Sequence, residues 1–294
     1  MHADARSFSS AAATDAPIGV FDSGVGGLSV LRALLQALPD EDFVYLADSA
    51  HAPYGERSED FVTARTRRIA DHLKTTCHAK ALVIACNTAT AAAIHTLRKE
   101  HSGWPIIGLE PALKPAVHAT RTGRIGVLAT RATLGSAKYA ALRDGLMQAH
   151  PVVFVDQPCD GLAGAIEHGM RDGDMSAAHQ LAARWLHQLG PLGDQAGAMD
   201  TVVLGCTHYP LIRDALQRQA GPSVQFIDAG TPVARHTHRL LSSAHLLRPA
   251  DPTSGIAGRT RRLRFLATGD GESLRATADR LLCGDAQEEF LRPS

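Results

Sequence analysis

No apolar run in the 294 residues approaches the ~20 that span a bilayer, which argues against a transmembrane helix. Net charge is also lacking. Lys plus Arg equal Asp plus Glu at 30 each, so bulk charge favours neither nucleic acid nor an anionic lipid surface. The RTRR cluster at 259–262 is too short to change that reading. Five cysteines, an odd number with no CxxC spacing, suit neither a secreted disulfide framework nor a zinc ribbon and point to a reducing cytoplasm. The 15 histidines are scattered without a metal-ligand cluster, so no metal is expected. The opening MHADARSFSSAAATDAP has no apolar stretch of the secretory kind, and residues 1–16 are expected to be a disordered lead-in.

What is present is an ordinary globular composition, 45% hydrophobic and 20% charged, in a chain long enough for two packed units. Short runs rich in Val, Ile and Leu alternate with helical patterns, the appearance of a parallel sheet covered on both faces. The fold class is therefore α/β, doubly wound. Strands are expected at 18–21, 43–47, 81–85, 106–109, 125–128, 152–155, 201–205 and 224–227, with a strand-like RLRFLAT and a helix at 272–282 in a C-terminal extension.

These strands form two series. IGVFDSG matches IGVLATR, FVYLADS matches VVFVDQP, ALVIACNT matches TVVLGCTH, and IIGLEP matches VQFIDAG. The offsets are too long for a solenoid but suit two copies of one α/β unit related by a pseudo-twofold axis. Apolar strands also align by chance, but chance does not readily explain a Cys followed by a polar residue at the same place in both copies. Periodicity does not say which unit owns the last strand of each series. The boundaries are drawn at 17–107 plus 222–260 for the first unit, 108–221 for the second, and 261–294 for an extension packed on the first. Ligands of open α/β sheets sit beyond the carboxyl ends of strands, so Cys86 and Cys206 should face one cleft from opposite walls.

Asp22-Ser-Gly-Val-Gly-Gly-Leu-Ser closes a strand and opens a helix at about 28–38. Its free amides suit an anion, but Ser29 stands where a dinucleotide fingerprint needs its third glycine. A tight turn capped by Asp22 or Ser23 explains the segment as well. Cys86 precedes a helix, whose dipole would lower its thiol below the ~8.5 of free cysteine. An inert buried cysteine fits that position equally well. Asn87 and Thr88 suit either capping or ligand binding. Cys206 again meets a helix start, with Pro210 suited to begin the helix and His208 able to exchange a proton with its neighbour. Zinc would need more ligands than Cys-x-His, and a cysteine protease needs one thiol. Inverting a tetrahedral α-carbon needs two: a base on one face and an acid on the other. No Lys-centred pyridoxal motif offers an electron sink, so hydrogen bonds must stabilise the carbanion.

DSGVGGLSV, HAPYGERS, ACNTATA and LGCTHYPL, in that order, resemble the signature segments of the glutamate racemase family, and RFLATGDGE resembles the ending of its longer members. The resemblance implies a cofactor-independent bacterial cytoplasmic isomerase that supplies D-glutamate for peptidoglycan. It implies that Cys86 deprotonates D-glutamate and Cys206 L-glutamate, with Asp22, His208 and Glu167 assisting. It further implies that Asp22, Ser23, Pro53, Tyr54, Gly55, Asn87, Thr88, Thr133, Thr207 and His208 hold the substrate through backbone amides and neutral donors. Glu167 also reads as a solvated helix position, Arg57 as a spare carboxylate ligand, and Cys77, Cys159 and Cys283 as packing or surface residues. A homodimer is the default assembly. Two rivals stand: an aspartate racemase, whose type usually carries an acidic residue where His-Tyr-Pro follows Cys206, and a non-catalytic binding protein that keeps the cleft.

Overall fold

The computed structural model describes residues 14–249, 261–269 and 271–282, and residues 286–291 as backbone. Strand β1 (Ile18–Asp22) leads through α1 (Leu28–Ala37), β2 (Phe43–Ala47), α2 (Glu59–Thr75), β3 (Ala81–Ile84) and α3 (Asn87–Glu100) to β4 (Ile106–Gly108). Helix α4 (Leu113–Ala119) precedes β5 (Arg124–Ala129), α5 (Arg131–Leu134), α6 (Ala137–Ala149), β6 (Val153–Pro158), α7 (Leu162–Asp172) and α8 (Ser176–Leu189). Then come β7 (Thr201–Gly205), α9 (Arg213–Ala220), β8 (Gln225–Ile227), α10 (Gly230–Ser243), β9 (Arg261–Ala267), α11 (Gly271–Leu281) and β10 (Ala286–Leu291).

Two parallel sheets result, ordered β10-β9-β2-β1-β3-β4 and β6-β5-β7-β8. Strands β1, β2, β3 and β7 are buried along their whole length, which is why each reads as an unbroken apolar run. The motif matches reappear as matched registers. Ile18 pairs with Ala81 and Phe21 with Ile84, just as Ile125 pairs with Thr201 and Leu128 with Leu204. Leu82 opposes Ile106 as Val202 opposes Phe226.

One boundary needs correction. The expected division gives residues 222–260 to the first unit, yet β8 pairs with β7 and completes the second sheet. Its ladder repeats that of β3 with β4, and only afterwards does the chain cross back, where α10 packs on α1. The strand expected at 152–155 begins at Val153 and runs on to Pro158. In the extension, β9 adds to the first sheet beside β2, and α11 touches both α1 and α7.

At the amino ends of the first sheet lies a buried charge cluster. Lys80 Nζ donates to Glu41 Oε2 at 2.5 Å and to the Thr14 carbonyl at 2.6 Å. The Arg248 amide donates to Glu41 Oε1 at 2.9 Å, and its guanidinium meets Asp42 at 3.0 Å and the Asp15 carbonyl. Residues 14 and 15 of the expected disordered lead-in are thus tied down, because they satisfy buried cations; residues 1–13 lie outside the described residues. Cys283 and Arg259 lie outside them too. Among the described residues no helix is long and apolar enough to cross a membrane.

Candidate active site

The carboxyl ends of the two sheets meet, and polar contacts join them. Ser29 Oγ donates to the Thr207 carbonyl at 3.0 Å, Asn87 Nδ2 to the Gly205 carbonyl at 2.6 Å, and the Val25 amide to Glu167 at 3.3 Å. Thr88 Oγ1 lies 3.2 Å from Thr130 Oγ1. Cys86, two residues past Ile84 of β3, and Cys206, one residue past Gly205 of β7, are therefore brought to the same seam. Cys77, Cys86, Cys159 and Cys206 are free thiols, all buried.

Cys86 caps α3. Its sulfur accepts from the Ala89 amide at 3.5 Å and lies 3.9 Å from Ser23 Oγ, to which it can donate. The expected downward shift of this thiol is not what the structure yields. Burial pushes the Cys86 thiol well above its ordinary value, and the negative charge of Asp22 adds to the effect. One amide and the helix dipole do not offset complete desolvation. Cys206 stands differently from the helix start expected: a 3₁₀ turn at Tyr209–Ile212 holds Pro210, and α9 begins only at Arg213. Its electrostatic partner is His208, whose Nδ1 lies 3.8 Å from Cys206 Sγ.

His208 Nε2 in turn lies 2.5 Å from Glu167 Oε2. Burial alone would keep this imidazole neutral, but its contacts with Cys206 and Glu167 prevail and raise its affinity for a proton. Glu167 shows the converse: burial raises it, but the bond and charge of His208 together with the Val25 amide outweigh burial and lower it. An ionised pair behind Cys206 follows, and Glu167 is no solvated helix position.

The glycines of DSGVGG serve this pair. A Cβ on Gly24 would lie 2.5 Å from Glu167 Oε2, and one on Gly26 would lie 2.5 Å from His208 Nδ1. Close approach to side chains, not to a phosphate, explains the spacing. Asp22 is fully buried; its Oδ2 accepts from the Gly27 amide at 2.5 Å and from Thr207 Oγ1 at 3.4 Å, while Oδ1 has no partner. Burial, first among the causes, raises its carboxyl from 3.8 to about 6. Asn87 Oδ1 is a second buried acceptor without a partner.

The remaining expected residues lie around this centre. Thr133 Oγ1 accepts from Thr130 Oγ1 at 2.9 Å, which connects it to Thr88. Pro53, Tyr54 and Gly55 form a loop against the second unit, close enough that a Cβ on Gly55 would meet Thr130 at 2.9 Å. The Tyr54 hydroxyl points to no cleft group; it donates to Asp48 Oδ2 at 2.6 Å. The Arg57 guanidinium stacks 5.5 Å above the Phe61 ring. Cys77 and Cys159 pack in the interior.

Two residues escaped the sequence reading. Thr130 is the hub between Thr88 and Thr133, and the match of IGVFDSG to IGVLATR places it opposite Ser23, a signal that was available. Asp48, beneath the loop, had no comparable signal. Among the described residues no three His, Cys, Asp or Glu side chains are grouped to hold a metal ion.

The Asp/Glu/Hydantoin racemase family profile matches residues 18–237. The glutamate racemase of Stutzerimonas stutzeri (strain A1501) is 46% identical over 275 residues, 94% of this chain and 97% of the relative. That of Pseudomonas syringae pv. tomato is 50% identical over 233 residues, covering 79% and 81% of the two chains. Among solved structures, a glutamate racemase isoform from Bacillus anthracis superposes with a TM-score of 0.78 at 30% identity, covering 95% of this chain and 98% of that one. The Escherichia coli glutamate racemase, solved with L-glutamate and the activator UDP-MurNAc-ala, gives 0.75 at 30% identity, covering 94% and 98%.

Proposed function

This chain belongs to the glutamate racemase family, and on that premise we propose that it inverts glutamate by passing the α-proton between the Cys86 and Cys206 sulfurs. The observation that carries the proposal is the matched placement of two thiols at the facing ends of β3 and β7. A thiolate on one face takes the α-proton, so the C–H bond breaks and an S–H bond forms. The electron pair stays on the substrate as a carbanion delocalised into its carboxylate. The opposite thiol then donates its proton, and the new C–H bond has inverted configuration.

Each residue has a part in this scheme. Cys206 takes the proton of L-glutamate, with the His208–Glu167 pair supplying positive charge beside the sulfur. Cys86 takes that of D-glutamate, with Ser23 and Asp22 at its side. The orphaned Asp22 Oδ1 and Asn87 Oδ1 suit the ammonium group, since a buried acceptor left bare costs about 1–3 kcal/mol. The amides of the Pro53–Gly55 loop and the groups of Asn87, Thr88, Thr133 and Thr207 hold the carboxylates and spread the developing charge. Such an enzyme supplies D-glutamate for peptidoglycan in the bacterial cytoplasm.

The test is incubation of L- or D-glutamate in heavy water without added cofactor. Deuterium enters the α-position while the circular dichroism of the amino acid decays to zero. Equal turnover of aspartate would favour an aspartate racemase, and exchange that persists without either thiol would overturn the two-sulfur scheme.

A further inference from the structure

Strand β9 of the C-terminal extension has no counterpart among the described residues of the second sheet, where β6 forms the edge beyond β5. It lies beside β2, the strand whose carboxyl end carries the Pro53–Gly55 loop. The ladder between them continues past β9: the Thr268 amide donates to the Ala47 carbonyl at 3.0 Å. Thr268 Oγ1 then donates to Asp48 Oδ1 at 2.7 Å and accepts from the Ala50 amide at 3.3 Å. One residue on, the Gly269 amide donates to Ser49 Oγ at 3.2 Å. Three successive residues, 48 to 50, are thus gripped from the extension.

Asp48 passes that grip to the loop. Fully buried, it accepts from Tyr54 at 2.6 Å, from Arg65 Nε at 2.9 Å and Nη2 at 2.7 Å, and lies 3.0 Å from His51 Nδ1. Burial pushes this carboxyl up, but the bonds from Arg65, Tyr54 and Thr268 outweigh it and hold it below its ordinary value. The ionised carboxylate therefore has donors on every side: the extension through Thr268, α2 through Arg65, and the loop through Tyr54 and His51. On the far face of the loop, Gly55 abuts Thr130, so a displaced loop has nowhere to settle without moving the Thr88–Thr130–Thr133 chain.

We infer that Thr268 and Asp48 are positioning residues, through which β9 sets the loop that presents the Tyr54 and Gly55 amides to substrate. Neither residue touches the reacting carbon. The inference deepens the racemase reading and rests on it for its kinetic consequence, but not for its structural one.

The experiment uses the full chain with Thr268→Val, which keeps the shape and removes the hydroxyl, beside Thr268→Ser, which restores it. Hydrogen–deuterium exchange of residues 49–57 is read first. Thr268→Val should speed exchange there at least several-fold with the rest of the chain unchanged, and Thr268→Ser should match the parent. Unchanged exchange in 49–57 overturns the inference whatever the substrate proves to be. With glutamate, Thr268→Val should raise KM at least fivefold with kcat within about twofold, because uniform binding is lost. Tyr54→Phe cuts the same relay from the other side and serves if Thr268→Val does not fold. Where both fold, their effects on KM should be less than additive, since either break frees the loop. Full additivity, or a Thr268→Ser protein as impaired as Thr268→Val, would count against the relay. A parent protein that turns over no glutamate would instead sink the racemase reading and leave the exchange result to decide this one.

Discussion

Glu167 Oε2 sits 2.5 Å from His208 Nε2, while the opposite ring nitrogen faces Cys206 Sγ at 3.8 Å. One sulfur thus has a cation held beside it by a half-buried carboxylate. The other, Cys86, has the carboxyl of Asp22 nearby and a thiol pushed upward by burial. The two faces of the site are matched in backbone and different in charge.

That difference predicts the behaviour of Glu167→Gln. Enantiomers have an equilibrium constant of one, so kcat/KM must fall by the same factor in both directions. The asymmetry should instead show in isotope effects. With α-deuterated substrates, the effect from L-glutamate should rise relative to that from D-glutamate, because proton removal by Cys206 becomes the harder step. A rise confined to D-glutamate would reverse the assignment of the thiols.

Gly26→Ala tests the same pair without touching a polar group. The added Cβ would lie 2.5 Å from His208 Nδ1, so the ring must shift from its place beside Cys206. We expect at least a tenfold loss of kcat with the melting temperature only modestly lowered. Wild-type kinetics in this variant would show that the ring position does not matter.

Removal of either sulfur should be far more severe. Cys86→Ser and Cys206→Ser should each lose about 10²- to 10⁴-fold in racemisation, the usual worth of a positioned acid or base. A polarimetric assay in each direction measures this, and near-normal rates from either protein refute the scheme.

Asp22 gives a pH prediction with a defined sign. Its carboxyl is raised from 3.8 to about 6 by burial, so the folded state binds the proton more tightly than the unfolded state. The stability this contributes is present below about 4 and is lost as pH rises through about 6. Asp22→Asn should therefore be more stable than the parent above pH 6, by up to about 3 kcal/mol from the size of the shift, with the gap closing by about pH 4. Its activity should fall, a stability–function exchange common at active sites. Urea unfolding between pH 4 and 8 checks this; a gap that widens as pH falls contradicts it.

The Lys80–Glu41 pair, both side chains 2% exposed, predicts a purely structural effect. Lys80→Met strands a buried carboxylate and should cost about 3–5 kcal/mol, whereas pairing it with Glu41→Leu should recover part of the loss. Chemical denaturation of the single and double variants reads this directly, and equal stability of the single variant and the parent would rule it out.

Much of this architecture is legible in the amino-acid order, for a local reason. Buried parallel strands are continuous apolar runs, so eight of them, their pairing into two series and the Cys at the end of two of them can be read from residues a few positions apart. Thr207 is named only by the family resemblance, whereas the same logic singles out Asp22, Ser23, Asn87, Thr88 and His208 as candidates, all adjacent to strand ends. It misplaces β8, because an apolar run states that a strand exists and not which sheet receives it.

What only the tertiary structure decides depends on through-space energy. The Cys86 thiol is raised rather than lowered because desolvation, a property of everything packed around it, exceeds one helix terminus. Glu167 reaches Val25 across 142 positions of chain and Thr268 reaches Asp48 across 220, distances at which no sequence period survives. Hydrogen bonds and burial between such remote residues exist only once the sheets have met, and they set the surroundings of each sulfur and the seat of the loop.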